Sequence, residues 1–199
     1  MLITKLKKKV KRNRKNVKRK KELTILPNQQ LLQQIWDYIL TRPSKKGEYK
    51  KSEHECFFLL CWKVGLRISE AINFDLSLEH QQDEYKNLYV LRGKGQKEKW
   101  VYVKPEIVRE LKIRKWETKQ GNRINFHAFL QKVKKEMNLP TNIELAPHTL
   151  RRCFATYNLL AGMPLNILQK VLGHSRVSTT ALYIKDSDLA NLLKFKPIQ

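Results

Sequence analysis

Residues 147–152 read Pro-His-Thr-Leu-Arg-Arg, and this stretch joins a helix start to polar side chains that a purely structural helix has little need for. Proline is favoured at the first helical position, so Pro147 predicts a helix that begins here and runs to Leu160. His148 and Arg151 are three residues apart and therefore share a face of that helix. Each of them alone is more typical of a helix cap or a surface cation, so neither residue indicates a function by itself.

Polar residues of the same kind lie on both sides of this helix. Downstream, Gly173 predicts a helix stop, His174 follows it, and Tyr183 comes nine residues later between two apolar neighbours. Upstream, Arg67 follows the apolar helix predicted at about 53–64, within residues 64–70, which read Val-Gly-Leu-Arg-Ile-Ser-Glu. A lone tyrosine between apolar residues is usually part of a core. Only the order and spacing of the whole set indicate a function.

The periodicity of the apolar residues predicts a mainly helical chain with one small antiparallel sheet, an α+β class. Two short β-prone runs, at 88–91 and 100–103, flank a segment rich in glycine and lysine, which predicts a basic hairpin tip. Helices are predicted at about 28–39, 53–64, 69–73, 105–116, 126–137, 147–160, 165–172, 179–184 and 188–195.

Charge is the strongest signal in the composition. The chain has 199 residues with 41 Lys and Arg against 18 Asp and Glu, a net charge of +23, and 41% hydrophobic residues. This length suits one domain with a core, and such a charge attracts polyanions, which makes nucleic acid the leading partner and an anionic membrane a weaker one. Three cysteines are too few for a disulfide scaffold and indicate a reducing compartment.

The positive charge is concentrated at the N-terminus. The first 21 residues contain 12 Lys and Arg and no acid, which predicts a disordered basic tail over residues 1–24. Non-specific phosphate contact is the favoured role for this tail, and a targeting role is the alternative. A single folded domain is then expected over residues 25–199.

Five stretches of the chain resemble the motifs of the tyrosine recombinases, also called phage-type integrases, and the resemblance covers roughly residues 25–190. In chain order the stretches are 65–70, 93–99, 147–152, 172–175 and 179–183. Any one of them is weak evidence, whereas all five in order with family-like gaps are highly specific. The resemblance implies the catalytic-domain fold of the tyrosine recombinases, which are DNA breaking-rejoining enzymes.

The resemblance also implies a catalytic set and a covalent mechanism. The catalytic set comprises Arg67, Lys94, His148, Arg151, His174 and Tyr183. Tyr183 would attack a phosphodiester to give a 3′-phosphotyrosine and free a 5′-hydroxyl, while two guanidinium groups bind the non-bridging oxygens. The histidines would handle protons and hydrogen bonds at the same phosphate.

Several cationic residues lie close in sequence to the members of this catalytic set, and proton transfer or DNA contact is expected of them. By the family pattern Lys94 is the general acid for the leaving oxygen, although Lys97 and Lys99 are close and the residues alone do not choose among the three. Contact with the DNA backbone is the role favoured for Lys97, Lys99 and also Arg152. Glu70 is interpreted as a structural partner for a nearby cation.

Certain motifs are missing, and their absence predicts an enzyme without cofactor or metal. The sequence has no Gly-rich loop ending in Gly-Lys-Ser/Thr, so ATP use is not expected. No carboxylate cluster suits two Mg²⁺ ions, and His54, Cys56 and Cys61 lack a fourth ligand at a fitting spacing.

The expected function is therefore that of a site-specific DNA recombinase or integrase that acts on double-stranded DNA as a homo-oligomer, away from membranes. Family members usually carry an N-terminal core-binding domain, which is expected to be absent here. Two alternatives stay open: a DNA-binding protein of the same fold with lost or partial activity, and a nicking-closing enzyme of the type IB topoisomerase kind. Abundant Lys, Asn and Ile suggest an AT-rich genome, so the expected compartment is the cytoplasm and nucleoid, or the plastid stroma.

Overall fold

The computed structural model describes residues 24–43, 51–80, 82–92, 98–119 and 121–174. Within these ranges the chain forms seven α-helices, one two-stranded sheet and two short 3₁₀ turns. The elements are α1 (Gln29–Thr41), α2 (Lys51–Lys63), α3 (Ile68–Ile72), β1 (Leu88–Arg92), β2 (Glu98–Tyr102), α4 (Pro105–Ile113), α5 (Arg123–Glu136), α6 (Pro147–Leu160) and α7 (Leu165–Leu172). The predicted class, mainly α with a small antiparallel sheet, is confirmed.

The first helix starts at a side-chain cap. Asn28 Oδ1 accepts a hydrogen bond from the Leu31 main-chain N–H at 2.7 Å, which satisfies one of the free donors at the start of α1. The apolar residues recur at helical spacing and form its inward face: Leu32, Ile35, Trp36 and Ile39 are all buried.

Helix α2 forms the centre of the core. It is buried from Glu53 to Trp62 and packs against α1, α4, α5 and most extensively α6. A helix without a polar face has to be covered on every side, so the other helices are arranged around it. The chain leaves α2 through Gly65, whose φ of 75° is left-handed and where a Cβ would lie 2.4 Å from the Phe154 ring. That close contact holds the α2–α3 connection against α6.

The hairpin formed by β1 and β2 places alternate side chains on its two faces. Leu91 pairs with Lys99 and Tyr89 pairs with Val101, and directly paired residues project from the same face of an antiparallel sheet. Tyr89, Leu91 and Val101 are buried, so this face is turned toward the core and carries Lys99 with it. Trp100 is on the other face and is 49% exposed.

The observed helix limits differ from the predicted ones where a local backbone feature decides them. Helix α4 ends at Ile113 instead of continuing to Trp116, because Lys115 has a left-handed φ of 52° and Trp116 Nε1 turns inward to donate to the Phe74 oxygen. Helix α5 begins at Arg123, earlier than predicted, because Asn122 caps it. The 3₁₀ turns at Leu76–Leu78 and Asp83–Tyr85 were not predicted.

The N-terminal basic tail, the tip of the hairpin and the helices predicted at 179–184 and 188–195 lie outside the described residues, apart from Thr24 and the ends of the hairpin strands.

Candidate active site

The most enclosed cation of the candidate site is Arg151, which projects from α6. Its Nη1 donates to the main-chain oxygen of Gly65 at 2.7 Å, and its Nη2 donates to that of Leu172 at 2.6 Å. Only 4% of the residue is exposed. A guanidinium group keeps its charge in a protein, so it can be buried only where its N–H groups meet acceptors. Arg151 thus ties the segment after α2 to the end of α7.

Arg67 reaches the same main-chain oxygen from another element. It is the N-cap residue of α3, and its Nη1 lies 3.4 Å from the Leu172 oxygen. The last carbonyl groups of a helix carry partial negative charge, which favours cations at this end of α7. Because 43% of the Arg67 side chain is exposed, the site pairs one enclosed guanidinium group with one that solvent and ligands can reach.

A single carboxylate, that of Glu70, faces three cations. Its Oε1 accepts from Arg67 Nη1 at 2.6 Å, and its Oε2 lies 3.2 Å from Arg151 Nη1 and 3.1 Å from Lys99 Nζ. Burial acts to raise the pKa of Glu70, but Lys99, the Arg67 main-chain N–H and the two guanidinium groups outweigh it, and the pKa is lowered. The interpretation of Glu70 as a partner for nearby cations is confirmed.

Lys99 is enclosed in this cluster. Its side chain is 17% exposed, and its ion pair with Glu70 draws it into the site. Burial, together with repulsion from the two guanidinium groups, lowers the pKa of Lys99 to about 8 against the opposing effect of Glu70. The role favoured from the sequence, a DNA-backbone contact, does not account for this enclosure. Period-two alternation with the buried Val101 and Val103 is the sequence signal that places Lys99 on the inner face.

His174 is brought to the cluster by the helix stop predicted at Gly173. Gly173 has a φ of 63°, and a Cβ there would lie 2.8 Å from Lys99 Cδ, so glycine leaves space for the lysine stem. His174 Nε2 lies 3.2 Å from Arg151 Nη2. Because arginine can only donate, Nε2 is the acceptor and the imidazole proton lies on Nδ1. Burial and then the charges of Arg151, Arg67 and Lys99 lower the pKa of His174 to about 4, so the ring is neutral at neutral pH.

His148 and Arg152 lie four residues apart on α6 and share one acidic partner. His148 Nε2 is 2.7 Å from Glu144 Oε1, and Arg152 Nη1 donates to Glu144 Oε2 at 3.0 Å. The His148 side chain is 67% exposed, whereas Arg151 on the same helix is almost fully enclosed. The face of α6 that His148 and Arg151 were predicted to share is therefore buried at Arg151 and open to a ligand at His148.

A cavity of about 1090 Å³ connects these side chains. It is lined by five of the residues predicted from the sequence, namely Arg67, His148, Arg151, Arg152 and His174. The start of α5 adds three polar residues that the sequence reasoning missed, namely Asn122, Arg123 and His127. The N-cap asparagine before the helical pattern is the only local signal that marked this segment. None of the described residues that line the cavity is acidic, so its surface suits an anion.

Three predicted site residues, Lys94, Lys97 and Tyr183, lie outside the described residues. In the part of the chain that is described, no group of three or more His, Cys, Asp or Glu side chains is arranged to hold a metal ion. Among the helices of the described ranges, none combines the length with the apolar composition that a membrane span requires.

Curated relatives resemble the chain over most of this region. Over 140 residues it is 35% identical to the tyrosine recombinase XerA of Pyrococcus horikoshii, an alignment that covers 64% of this chain and 48% of the relative. Over 143 residues it is 34% identical to the tyrosine recombinase XerD of Lacticaseibacillus casei, covering 63% of this chain and 48% of the relative. The chain thus spans about half the length of the curated relatives it matches.

Solved structures share the fold at low sequence identity. A crystal structure of XerA recombinase matches with a TM-score of 0.67 at 20% identity, over 90% of this chain and 68% of the other. The catalytic domain of bacteriophage HP1 integrase matches with a TM-score of 0.56 at 19% identity, over 88% of this chain and 96% of that domain. At such identities the likeness shows the fold.

The sequence model of the phage integrase family matches residues 28–189, a span that contains both arginines, both histidines and the hairpin described above. Since this match covers well over half of the chain, the protein belongs to the phage integrase family.

Proposed function

We propose that the chain cuts and rejoins DNA strands at specific sites through a covalent 3′-phosphotyrosine on Tyr183, without ATP or metal. The observation that carries this proposal is the convergence of Arg67 and Arg151 on the Leu172 oxygen, beside a cavity whose described lining has no carboxylate. Two guanidinium groups at one point suit the two non-bridging oxygens of a phosphodiester.

The arginines supply the electrostatic part of the reaction. Attack on the phosphorus increases the negative charge on the non-bridging oxygens, and donors held in position before the reaction stabilise that charge. Arg151 is held by two main-chain oxygens and Arg67 by Glu70, so both are fixed before a ligand arrives. His174, neutral and bonded to Arg151 through Nε2, places an uncharged polar ring beside the two guanidinium groups.

The reaction exchanges one bond to phosphorus for another and transfers two protons. The Tyr183 oxygen forms a bond to phosphorus as the bond from phosphorus to the 5′-oxygen breaks. The phenol proton passes to His148, and the leaving 5′-oxygen takes a proton from Lys94. Lys99 keeps Glu70 in place and adds positive charge beside the phosphate. The reverse sequence reseals the strand, because the phosphotyrosine conserves the energy of the broken bond.

The partner in this proposal is double-stranded DNA, with residues 25–199 acting as the catalytic domain and several copies assembling on the DNA. Similar solved structures include XerH recombinase bound to its difH substrate and Tn1549 integrase bound to circular intermediate DNA. Those complexes and the net charge of +23 support DNA as the ligand. Binding that rests on Lys and Arg contacts to phosphates falls steeply as salt is added.

Trapping the covalent intermediate tests the proposal. The full-length chain is incubated with a pool of nicked duplexes of randomised sequence, in which cleavage releases a short fragment and prevents resealing. We expect a protein–DNA adduct that survives denaturing gels, with enriched sequences in the trapped DNA. Tyr183→Phe should abolish it, and Tyr102→Phe, at an exposed tyrosine of β2, should not.

The alternatives predict other results. DNA binding without an adduct would contradict the proposed cleavage and favour a binding protein of the same fold. An adduct without strand exchange between two duplexes would favour a nicking-closing enzyme.

A further inference from the structure

The carboxylate of Glu144 contacts two cationic or ionisable side chains, one with each oxygen. Oε1 lies 2.7 Å from His148 Nε2, and Oε2 accepts from Arg152 Nη1 at 3.0 Å. Glu144, His148 and Arg152 are spaced four residues apart in sequence. The histidine and the arginine therefore lie on the side of α6 that faces Glu144, which precedes the helix. With both oxygens engaged, rotation of the carboxylate would break one contact or the other.

The backbone around Glu144 is tied down on three sides. Its main-chain N–H donates to the Ile25 oxygen at 3.1 Å, within a parallel bridge between Ile25 and Ile143. Lys134 Nζ donates to the Ile143 oxygen at 2.5 Å, and Gln131 Nε2 donates to the Leu145 oxygen at 2.6 Å. Residues 143–145 therefore form a rigid platform, because α5 and the segment before α1 both hold them.

The contact decides which nitrogen of His148 carries a proton. An ionised carboxylate can only accept, so the ring nitrogen that faces it must be the N–H, and in the neutral ring Nδ1 is then left as the base. If Nδ1 takes a proton, the charged ring remains beside a negative partner. A carboxylate that orients a histidine and stabilises its charged form acts in this way in the Ser-His-Asp triad.

We propose that Glu144 is a positioning residue that acts through His148: it fixes the Nε2–H tautomer and stabilises the ring when Nδ1 accepts the proton of the Tyr183 hydroxyl. This inference rests on the proposed function, because the proton transfer belongs to that reaction. Arg152 anchors the second oxygen of Glu144, which gives it a part in the site besides any contact with DNA.

The full-length chain allows a graded test. Glu144→Met keeps the length of the side chain and removes both acceptors, whereas Glu144→Gln retains one acceptor oxygen. We expect Glu144→Met to slow single-turnover adduct formation by about ten- to a hundredfold, the range seen when partners of metal-bound histidines are removed. Glu144→Gln should be slowed less, and the rates are compared at saturating protein, because loss of the negative charge beside Arg152 also changes the affinity for DNA.

A second substitution separates action through His148 from a structural role. In a His148→Ala background, Glu144→Met should cause no further loss, since the group it acts through is gone. Glu136→Met is the matched control: Glu136 is similarly exposed and also binds an arginine, Arg42, at 2.9 Å, but on another part of the surface. Its adduct rate should equal that of the unsubstituted chain.

Nitrogen NMR of labelled histidine in the DNA-free protein tests the contact without relying on activity. The His148 signals should show the Nε2–H tautomer in the unsubstituted chain and a mixture in Glu144→Met. Unchanged tautomers, a rate loss no larger than that of Glu136→Met, or an equal loss in the His148→Ala background would each overturn the inference. If the unsubstituted chain forms no adduct while the tautomer still depends on Glu144, the proposed function fails, and the catalytic role of Glu144 fails with it.

Discussion

Arg151 Nη2 lies 2.6 Å from the main-chain oxygen of Leu172, the last residue of α7. The same guanidinium group donates to the Gly65 oxygen, so one side chain connects two segments that are more than a hundred residues apart in sequence. Arg151 is therefore both part of the candidate site and part of what holds the core together. Substitutions at this position should affect stability as well as activity.

Arg151→Lys should lower both stability and adduct formation. A lysine has no planar fork and cannot serve both main-chain oxygens, which leaves a buried acceptor unpaired at a cost of about 1–3 kcal/mol. Loss of one positioned donor to the phosphate should slow cleavage by about 10²–10³-fold. Urea unfolding and single-turnover trapping measure the two effects.

Arg152→Lys serves as the stability control, because this side chain is partly exposed and should change stability by no more than about 0.5 kcal/mol. Equal stability losses at residues 151 and 152 would contradict a structural role for the buried arginine.

Glu70→Gln should destabilise the fold at neutral pH. It removes the one negative charge among three cations in a site that is largely enclosed, and breaking such a cluster costs about 3–5 kcal/mol. The pKa of Glu70 is lowered in the folded protein, so its stabilising effect is present above the ordinary carboxyl value of 4.5 and is lost as the pH falls through the folded value.

Urea unfolding at a series of pH values measures this dependence for both proteins. The difference in unfolding free energy between the unsubstituted chain and Glu70→Gln should narrow on acidification. A difference that stays constant down to acidic pH would rule out the ionised carboxylate as its source.

Lys99→Met should change how stability depends on alkaline pH. The pKa of Lys99 falls from 10.5 to about 8 on folding, so between these values the unfolded chain binds a proton that the folded chain lacks. Stability of the unsubstituted chain should therefore rise with pH across this window relative to Lys99→Met, by at most about 1.4 kcal/mol per pH unit. Lys99→Arg should lack this slope, because arginine stays charged throughout. If the free energy of unfolding changed with pH in parallel for all three proteins, the lowered pKa of Lys99 would be contradicted.

Gly173→Ala and Gly162→Ala separate backbone strain from side-chain crowding. Both glycines have positive φ, 63° and 94°, so a Cβ at either should cost about 1–3 kcal/mol. At Gly162 nothing lies within 4 Å of the added carbon, whereas at Gly173 it would meet Lys99 Cδ at 2.8 Å. We expect only Gly173→Ala to slow adduct formation and to change the alkaline slope assigned to Lys99. Equal effects of the two substitutions on cleavage would argue against a role for the Gly173–Lys99 contact.

Local signals predicted much of the fold. The limits of α6 and α7 agree with those predicted, because Pro147 at the first helical position and Gly173 at the C-cap act within a single turn. The end of α4 was not predicted, since it depends on Trp116 reaching Phe74 across the core. Interactions within one helical turn can be predicted from the sequence, whereas a hydrogen-bond acceptor that is distant in sequence cannot.

Only part of the candidate site could be predicted, because its residues come together from distant segments of the chain. Arg67 and Arg151 converge across distant segments, and only the family resemblance indicated that they belong together. The enclosure of Lys99 depends on the register of the hairpin, which turns its side chain toward Glu70. The role of Glu144 depends on the turn before α6, although its spacing from His148 and Arg152 was already visible in the sequence.

The two shortest hydrogen bonds of Arg151 go to main-chain oxygens, and every amino acid supplies a main-chain oxygen. Exchanging the Leu172 side chain for another apolar one would leave its hydrogen bond to the guanidinium group intact. Inserting or deleting a residue in α7 would rotate that oxygen away, since each residue turns a helix by about 100°. This part of the site therefore tolerates changes of residue type in the course of evolution but not changes of length.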